Sequence, residues 1–388
     1  MIDYLTAGES HGPQLTAIIT GIPAGLTIDP DKINAALAER QVGYGRGLRQ
    51  QIEHDTVQIE SGVRHGKTLG SPITLVVQNR DHANWGTVMD PFGKAGREDA
   101  KRALTDPRPG HADLVGGMKY GQSDLRNILE RSSARETAIR VAVGNVCEQL
   151  LAALDIRLCG FVRQLGPAKS SVQEPLNVKK LTKGIQNDVR CFDPAMVDKA
   201  HAAIDEAKKK GDTLGGIIRV VANGVPAGLG SHTEWNTKLD GQVAGAVMGV
   251  NAVKGVSFGI GFDVASVPGS QVMDEITWDD GDGFSRSSDH LGGFEGGMTN
   301  GMPIVVNAAV KPIPTLTRPL ETVNILNHKE AKASRERSDT SAVVPASLVI
   351  ENVVAITLAR AITDTFDSNN LIRLQNQLAD YRQELRGY

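Results

Sequence analysis

Two short segments recur in this chain, in the same order, and no single motif restricts the fold as much. Gly21-Ile-Pro-Ala-Gly-Leu26 returns as Gly224-Val-Pro-Ala-Gly-Leu229, each time behind a β-branched run, LTAIIT and then IIRVVAN. Further on, residues 61–77 line up with 292–308. Gly62, Gly66, Thr68, Gly70, Pro72 and Ile73 then fall opposite Gly293, Gly297, Thr299, Gly301, Pro303 and Ile304. Each half later reaches a long apolar helical pattern, at 134–154 and 345–366. Gly and Pro alone can punctuate similar turns, but two matches in order point to a duplicated unit. The copies are expected over about 1–154 and 216–366, related by a pseudo-two-fold axis within one domain. Residues 155–215 read as an inserted surface element, with a helix starting at Asp193-Pro194 and stopping at Gly211. Residues 367–388 read as a polar helical tail. Strands followed by helices in both halves predict an α+β fold, a β-α-β sandwich with helices packed between mainly antiparallel sheets.

Composition narrows the partners. A net charge of -3 over 388 residues gives no general pull toward nucleic acid or anionic membrane, so any anion must be held by local cations. Cys147, Cys159 and Cys191 form no CxxC pair and no metal spacing, which fits a reducing compartment and indicates no metal. No basic-then-apolar leader opens the chain, and the oily 342–362 stretch is broken by Glu351 and Arg360. A soluble, cytoplasmic protein is expected, with no nucleic-acid or membrane partner.

Chemistry-bearing residues gather in six places. Gly8-Glu9-Ser10-His11-Gly12 follows the opening strand, and its glycines permit a tight turn that presents Ser10 and His11. Arg40, Arg46 and Arg49 alternate with glycines 43, 45 and 47, which reads as a mobile, close-approach loop whose guanidinium forks suit phosphate and carboxylate. Asp106-Pro-Arg-Pro-Gly-His111-Ala-Asp113 stiffens the approach to His111 with two prolines. Arg131-Ser-Ser-Ala-Arg135 opens a helix, where free N–H groups beside arginines make an anion site and Ser132 or Ser133 can cap. Lys311-Pro-Ile-Pro-Thr315 is a stiff loop after a strand, and Arg335-Glu-Arg337-Ser-Asp339 precedes the last long helix. A Walker loop and zinc-type HxxEH patterns are absent. Cations with two framed histidines describe a small polyanion undergoing proton transfer or loss of a leaving group.

These residues also carry a resemblance. GESHG (8–12), ERSSARET (130–137) and RSDTSAVVPASLVIEN (337–352) are similar to the signature segments of the chorismate synthase family, and GIPAGL, the GYGRG loop, DPRPGHAD and GGFEGGMTNG (292–301) sit where that family has them. Thr340 departs from it, standing where Pro or another residue is more usual. The resemblance implies a carbon–oxygen lyase that converts 5-enolpyruvylshikimate 3-phosphate to chorismate by trans-1,4-elimination of phosphate. It implies reduced FMN as cofactor, with NADPH an indirect source of electrons, and a homotetramer. By the same resemblance His11 and His111 transfer protons, supported by Ser10 and Asp339. Arg40, Arg46, Arg49, Arg108, Arg135 and Arg337 hold substrate anions, Arg337 also the flavin. Arg131, Ser132, Ser133, Asn251, Ala252, Gly296, Lys311, Pro312, Ile313, Pro314 and Thr315 match flavin-contact segments. A flavin- or NAD(P)H-dependent reductase and a non-catalytic anion-binding module are the competing readings. The former predicts nicotinamide oxidation in step with a reduced product; the latter predicts binding without phosphate release.

Overall fold

The structure is a computed structural model that describes every residue except 47–53, 95 and 337. Two antiparallel sheets form its outer layers. The first orders the strands Asp3–Ala7, Gln14–Thr20, Ile73–Gln78 and Val57–Ile59. The second orders Ala168–Lys169, Arg157–Leu165, Gly216–Asn223, Ile304–Val310 and Val253–Phe258. Between them lie the helices Thr137–Ala152, against the first sheet, and Val343–Thr365, against the second. Both helices are apolar nearly all round, as a helix covered on every side must be. They can approach closely because Gly144 has no side chain: a Cβ there would lie 2.3 Å from the Cβ of Asn352. Val343–Thr365 is long and apolar enough to cross a bilayer, yet 89% of its most apolar window is buried within the fold, as in the core helix of a folded domain. The expected α+β sandwich is the fold observed.

The two halves are built alike down to single hydrogen bonds. Ile19 pairs with Ile73 across the first sheet, and Ala222 with Ile304 across the second, each two residues before its GxPAGL glycine. Thr68 Oγ donates to Pro23 O at 2.5 Å and accepts from Leu26 N at 2.9 Å. Thr299 Oγ does the same with Pro226 O at 2.6 Å and Leu229 N at 2.9 Å. Gly25 and Gly228 both take φ +89°, a left-handed backbone that glycine adopts without strain.

The same comparison moves one boundary. Asp3 pairs with Thr20, and Arg157 with Asn223, the matching position. The strand Arg157–Leu165 therefore occupies in the second sheet the place of Asp3–Ala7 in the first. It is no part of a surface insertion, contrary to the reading of 155–215, and Phe161 is fully buried within it. The peripheral part follows it and includes the helix Pro194–Lys210, capped by the Asp193 carboxylate on Ala195 N at 3.0 Å and ended by left-handed Gly211. The polar tail forms the helix Leu371–Gly387, tied down where Tyr381 donates to Ala227 O at 3.0 Å.

Candidate active site

Connections from both halves build the site. The turn between the first two strands carries Ser10 and His11. The links from Ile73–Gln78 to Thr137–Ala152 and from Ile304–Val310 to Val343–Thr365, 79–136 and 311–342, carry most of the rest.

His11 is buried. Its Nδ1 lies 2.8 Å from Glu130 Oε1, and its backbone N–H donates to Glu130 Oε2 at 2.8 Å. Its ring rests on Trp85 with centroids 3.9 Å apart. Ser10, also buried, donates its N–H to Glu130 O at 2.9 Å. Arg126 joins from the other side, 3.2 Å from Glu130 and 2.8 Å from Glu336, with its guanidinium over Trp85. Burial favours the neutral form of Glu130, but the His11 contacts and then Arg126 outweigh it and hold the carboxyl below its ordinary range.

His111 forms a second pair of the same kind. Its Nδ1 lies 2.6 Å from Asp113 Oδ1. Arg108 grips the same carboxylate through Nε at 2.8 Å and a terminal nitrogen at 3.0 Å, and donates to Thr315 Oγ at 3.0 Å. Against the cost of burial, His111 and Arg108 together keep the Asp113 carboxyl far below the usual carboxylate range. In both pairs a carboxylate oxygen stands where it accepts from Nδ1 in the tautomer that carries the proton there.

The described arginines of these motifs meet acceptors of the protein itself. Arg135 donates to Asp55 at 2.7 Å and to Asn79 Oδ1 at 2.8 Å, and Arg40 approaches the same Asp55 at 3.7 Å. Asn79 in turn donates to Gly12 O at 2.8 Å and Glu9 O at 3.1 Å, so this buried network braces the turn that presents His11. Arg131 reaches the carbonyls of Gly8 and Thr6, each at 3.0 Å. Arg108, Arg131 and Arg135 are thus engaged with the protein itself. Arg46 likewise meets Asp339 at 2.5 Å, joining the segment around Tyr44 to the one before the last long helix. Arg49 and Arg337 lie outside the described residues.

The flavin-assigned segments also meet. Ser133 caps the turn at Arg135 N, and Asn251 Nδ2 donates to Ser132 O at 3.0 Å. Ala252 O accepts from Lys311 N at 2.9 Å. A Cβ placed on Gly110, beside His111, would lie 3.9 Å from Lys311 Nζ and from Pro314 Cβ. Ile313 O accepts from Thr213, and Pro312 lies against Gly215. Gly296 sits in the hairpin Phe294–Thr299, and no hydrogen bond or ion pair among the described residues ties it to the two histidine pairs. Cavities of about 220 Å³ beside Tyr4 and Arg360, and of about 410 Å³ beside Glu39 and Arg190, are lined by neither His11 nor His111.

Sequence reasoning passed over Glu130, Trp85, Arg126, Asp55 and Asn79. Glu130 adjoins the Arg131–Arg135 motif and Arg126 stands one helical turn before it; for the others no local signal exists, because each acts through a contact distant in sequence.

Two histidine–carboxylate pairs, that of His11 buried and that of His111 partly exposed, with cations on neighbouring loops and carried on an α+β sandwich, define the class: a protein fitted for acid–base chemistry on an anion. The model of the chorismate synthase family matches residues 2–363. A chorismate synthase of Lactiplantibacillus plantarum is 64% identical over the whole of both chains, and one of Enterococcus faecalis is 54% identical over 98% of each. A crystal structure of a chorismate synthase, 40% identical, matches with a TM-score of 0.81 over 100% of this chain and 99% of that one. The chain belongs to the chorismate synthase family.

Proposed function

We propose that this chain catalyses trans-1,4-elimination of phosphate from 5-enolpyruvylshikimate 3-phosphate, giving chorismate for aromatic amino acid synthesis, with reduced FMN as cofactor. The observation that carries the reading is the pairing of His11 with Glu130 and of His111 with Asp113, each carboxylate also held by an arginine, Arg126 and Arg108. Each imidazole has Nδ1 anchored, so one Nε2 gives its proton to the departing phosphate while the other holds a proton at the flavin edge. Arg46 attracts the substrate's carboxylates and phosphate, and Ser10 and Asp339 support proton movement.

The residues present suit a phosphate-bearing cofactor. Lys311 is half-buried, and burial followed by the nearby Lys254 depresses its ammonium pKa. Among the described residues it forms no ion pair, so an anion beside it would relieve two cations at once. Lys311, the Pro312–Thr315 loop, the Ser132–Ser133 turn with Arg131, and Asn251–Ala252 would hold the flavin. Bound there, reduced FMN would supply electron density toward the substrate and an acceptor for its ring hydrogen.

Supporting a homotetramer are exposed apolar side chains around Phe262, Met273, Ile276, Trp278 and Phe284. A cytoplasmic location follows from the family's role in small-molecule biosynthesis. The matched strand orders and Thr68/Thr299 bonds support two copies of one unit. Anaerobic assay with photoreduced FMN and the enolpyruvyl substrate tests the activity: phosphate and chorismate should appear in equal amounts, and substrate binding without either overturns it. We expect no intrinsic flavin reduction; sustained chorismate formation from NAD(P)H and FMN in air, without another reductase, would show otherwise.

A further inference from the structure

Residues 43–46 are held against the second half of the chain. Tyr44, between Gly43 and Gly45, lies flat on His201 of the helix Pro194–Lys210, with ring centroids 3.9 Å apart and planes 24° from parallel. Its hydroxyl donates to both Asp205 oxygens at 3.0 and 3.1 Å, and its N–H donates to Asp188 O at 3.1 Å. Asp188 also receives His201 Nε2 at 2.9 Å, so ring, hydroxyl and backbone are held by one connected group. Gly45, at φ +81°, permits the approach: a Cβ there would lie 2.7 Å from Ile204 Cγ2 on the same helix. Directly after it, Gly45 O accepts from Thr340 N at 3.3 Å and Arg46 meets Asp339 at 2.5 Å.

The helix stands in the connection that joins the first two strands of the second half. In the first half that connection is the short turn bearing His11. The longer version reaches across to the other half and grasps the arginine loop.

We propose that Tyr44, with His201, Asp205 and Asp188, is a clamp that positions Arg46 for the anionic substrate. Tyr44 is a positioning residue, and its effect falls on substrate capture rather than on proton transfer. A guanidinium held in register binds ground and transition states alike, so loosening it raises KM and spares kcat. The proposal rests on the elimination reading only for the identity of the anion.

The test uses the full-length protein with photoreduced FMN, comparing wild type with Tyr44→Ala and Tyr44→Phe, and pairs kinetics with amide hydrogen exchange. Tyr44→Ala should raise KM for the enolpyruvyl substrate about tenfold with kcat within about twofold. Tyr44→Phe keeps the stack, loses the Asp205 bond, and should fall between. Exchange in the peptide covering residues 40–46 should rise in Tyr44→Ala while that of the helix Thr137–Ala152 stays unchanged, which separates local release from misfolding. Wild-type turnover with unchanged KM in Tyr44→Ala, or unchanged exchange in the 40–46 peptide, overturns the clamp. A wild type that releases no phosphate overturns the elimination reading, and the exchange result then decides the clamp by itself.

Discussion

Replacing Glu130 with Gln probes the centre of the site with little change of shape. The amide oxygen can still accept from His11 Nδ1, but the negative charge beside His11 and Arg126 is gone. The carboxylate sits 2.8 Å from His11 Nδ1 and 3.2 Å from Arg126. Opposite charges about 4 Å apart attract by about 4 kcal/mol at an effective dielectric near 20. A retained neutral hydrogen bond offsets about 1 kcal/mol of that, and Arg126 keeps Glu336 as a partner. The surviving deficit of roughly 2–3 kcal/mol predicts a fall in kcat of about 30- to 150-fold, with KM little affected. Single-turnover phosphate release under anaerobic conditions with photoreduced FMN measures it without interference from product release. A double-mutant cycle with His11→Ala sharpens the test, because once the imidazole is absent Glu130→Gln should cost almost nothing more. If the folded single variant stays within threefold of wild type, or if the two losses multiply, Glu130 does not act through His11.

Three further outcomes follow from the same contacts. Lys311→Met should weaken binding of FMN about tenfold or more with unchanged thermal stability, measured by fluorescence titration; equal affinity would remove Lys311 from the flavin's phosphate. Burial and then Asp274 push the Asp289 carboxyl up to about 7, above its unfolded value near 4, so its contribution to stability is lost as pH rises through 7. Asp289→Asn should therefore gain on the wild type in unfolding free energy between pH 5 and pH 8, by about 1–2 kcal/mol after discounting for partial exposure, measured by urea titration at each pH; a pH-independent difference would refute the assignment. Thr68→Val and Thr299→Val should each destabilise by about 1–3 kcal/mol in urea titration, because each strands the same pair of backbone groups; a loss in one half alone would argue against equivalent roles.

Much was legible in the chain because it is local. A glycine that must adopt φ near +90°, a proline before a strand and a threonine that closes a turn are required by nearby backbone geometry, so both copies of the motif keep them. Helix ends at Asp193 and Gly211, and the apolar character of Val343–Thr365, are visible for the same reason. What escaped is non-local. The strand Arg157–Leu165 looked like the start of an insertion, since only pairing with Gly216–Asn223 reveals it as the counterpart of Asp3–Ala7. Arginines grouped as anion ligands meet carboxylates of the protein once folded: Arg135 pairs with Asp55, Arg108 with Asp113 and Arg46 with Asp339. The glycines around Tyr44 suggested mobility, yet in the fold they allow close docking.

By itself, then, the amino-acid order determined which segments turn, which helices are buried, and which histidines are framed. Tertiary structure alone decided the partner of each charge. Glu130 stands 119 residues from His11 in the chain, and no propensity or periodicity links them. Only closure of the two sheets over the central helices brings that carboxylate and imidazole within hydrogen-bond distance, where removal from water makes their pairing obligatory.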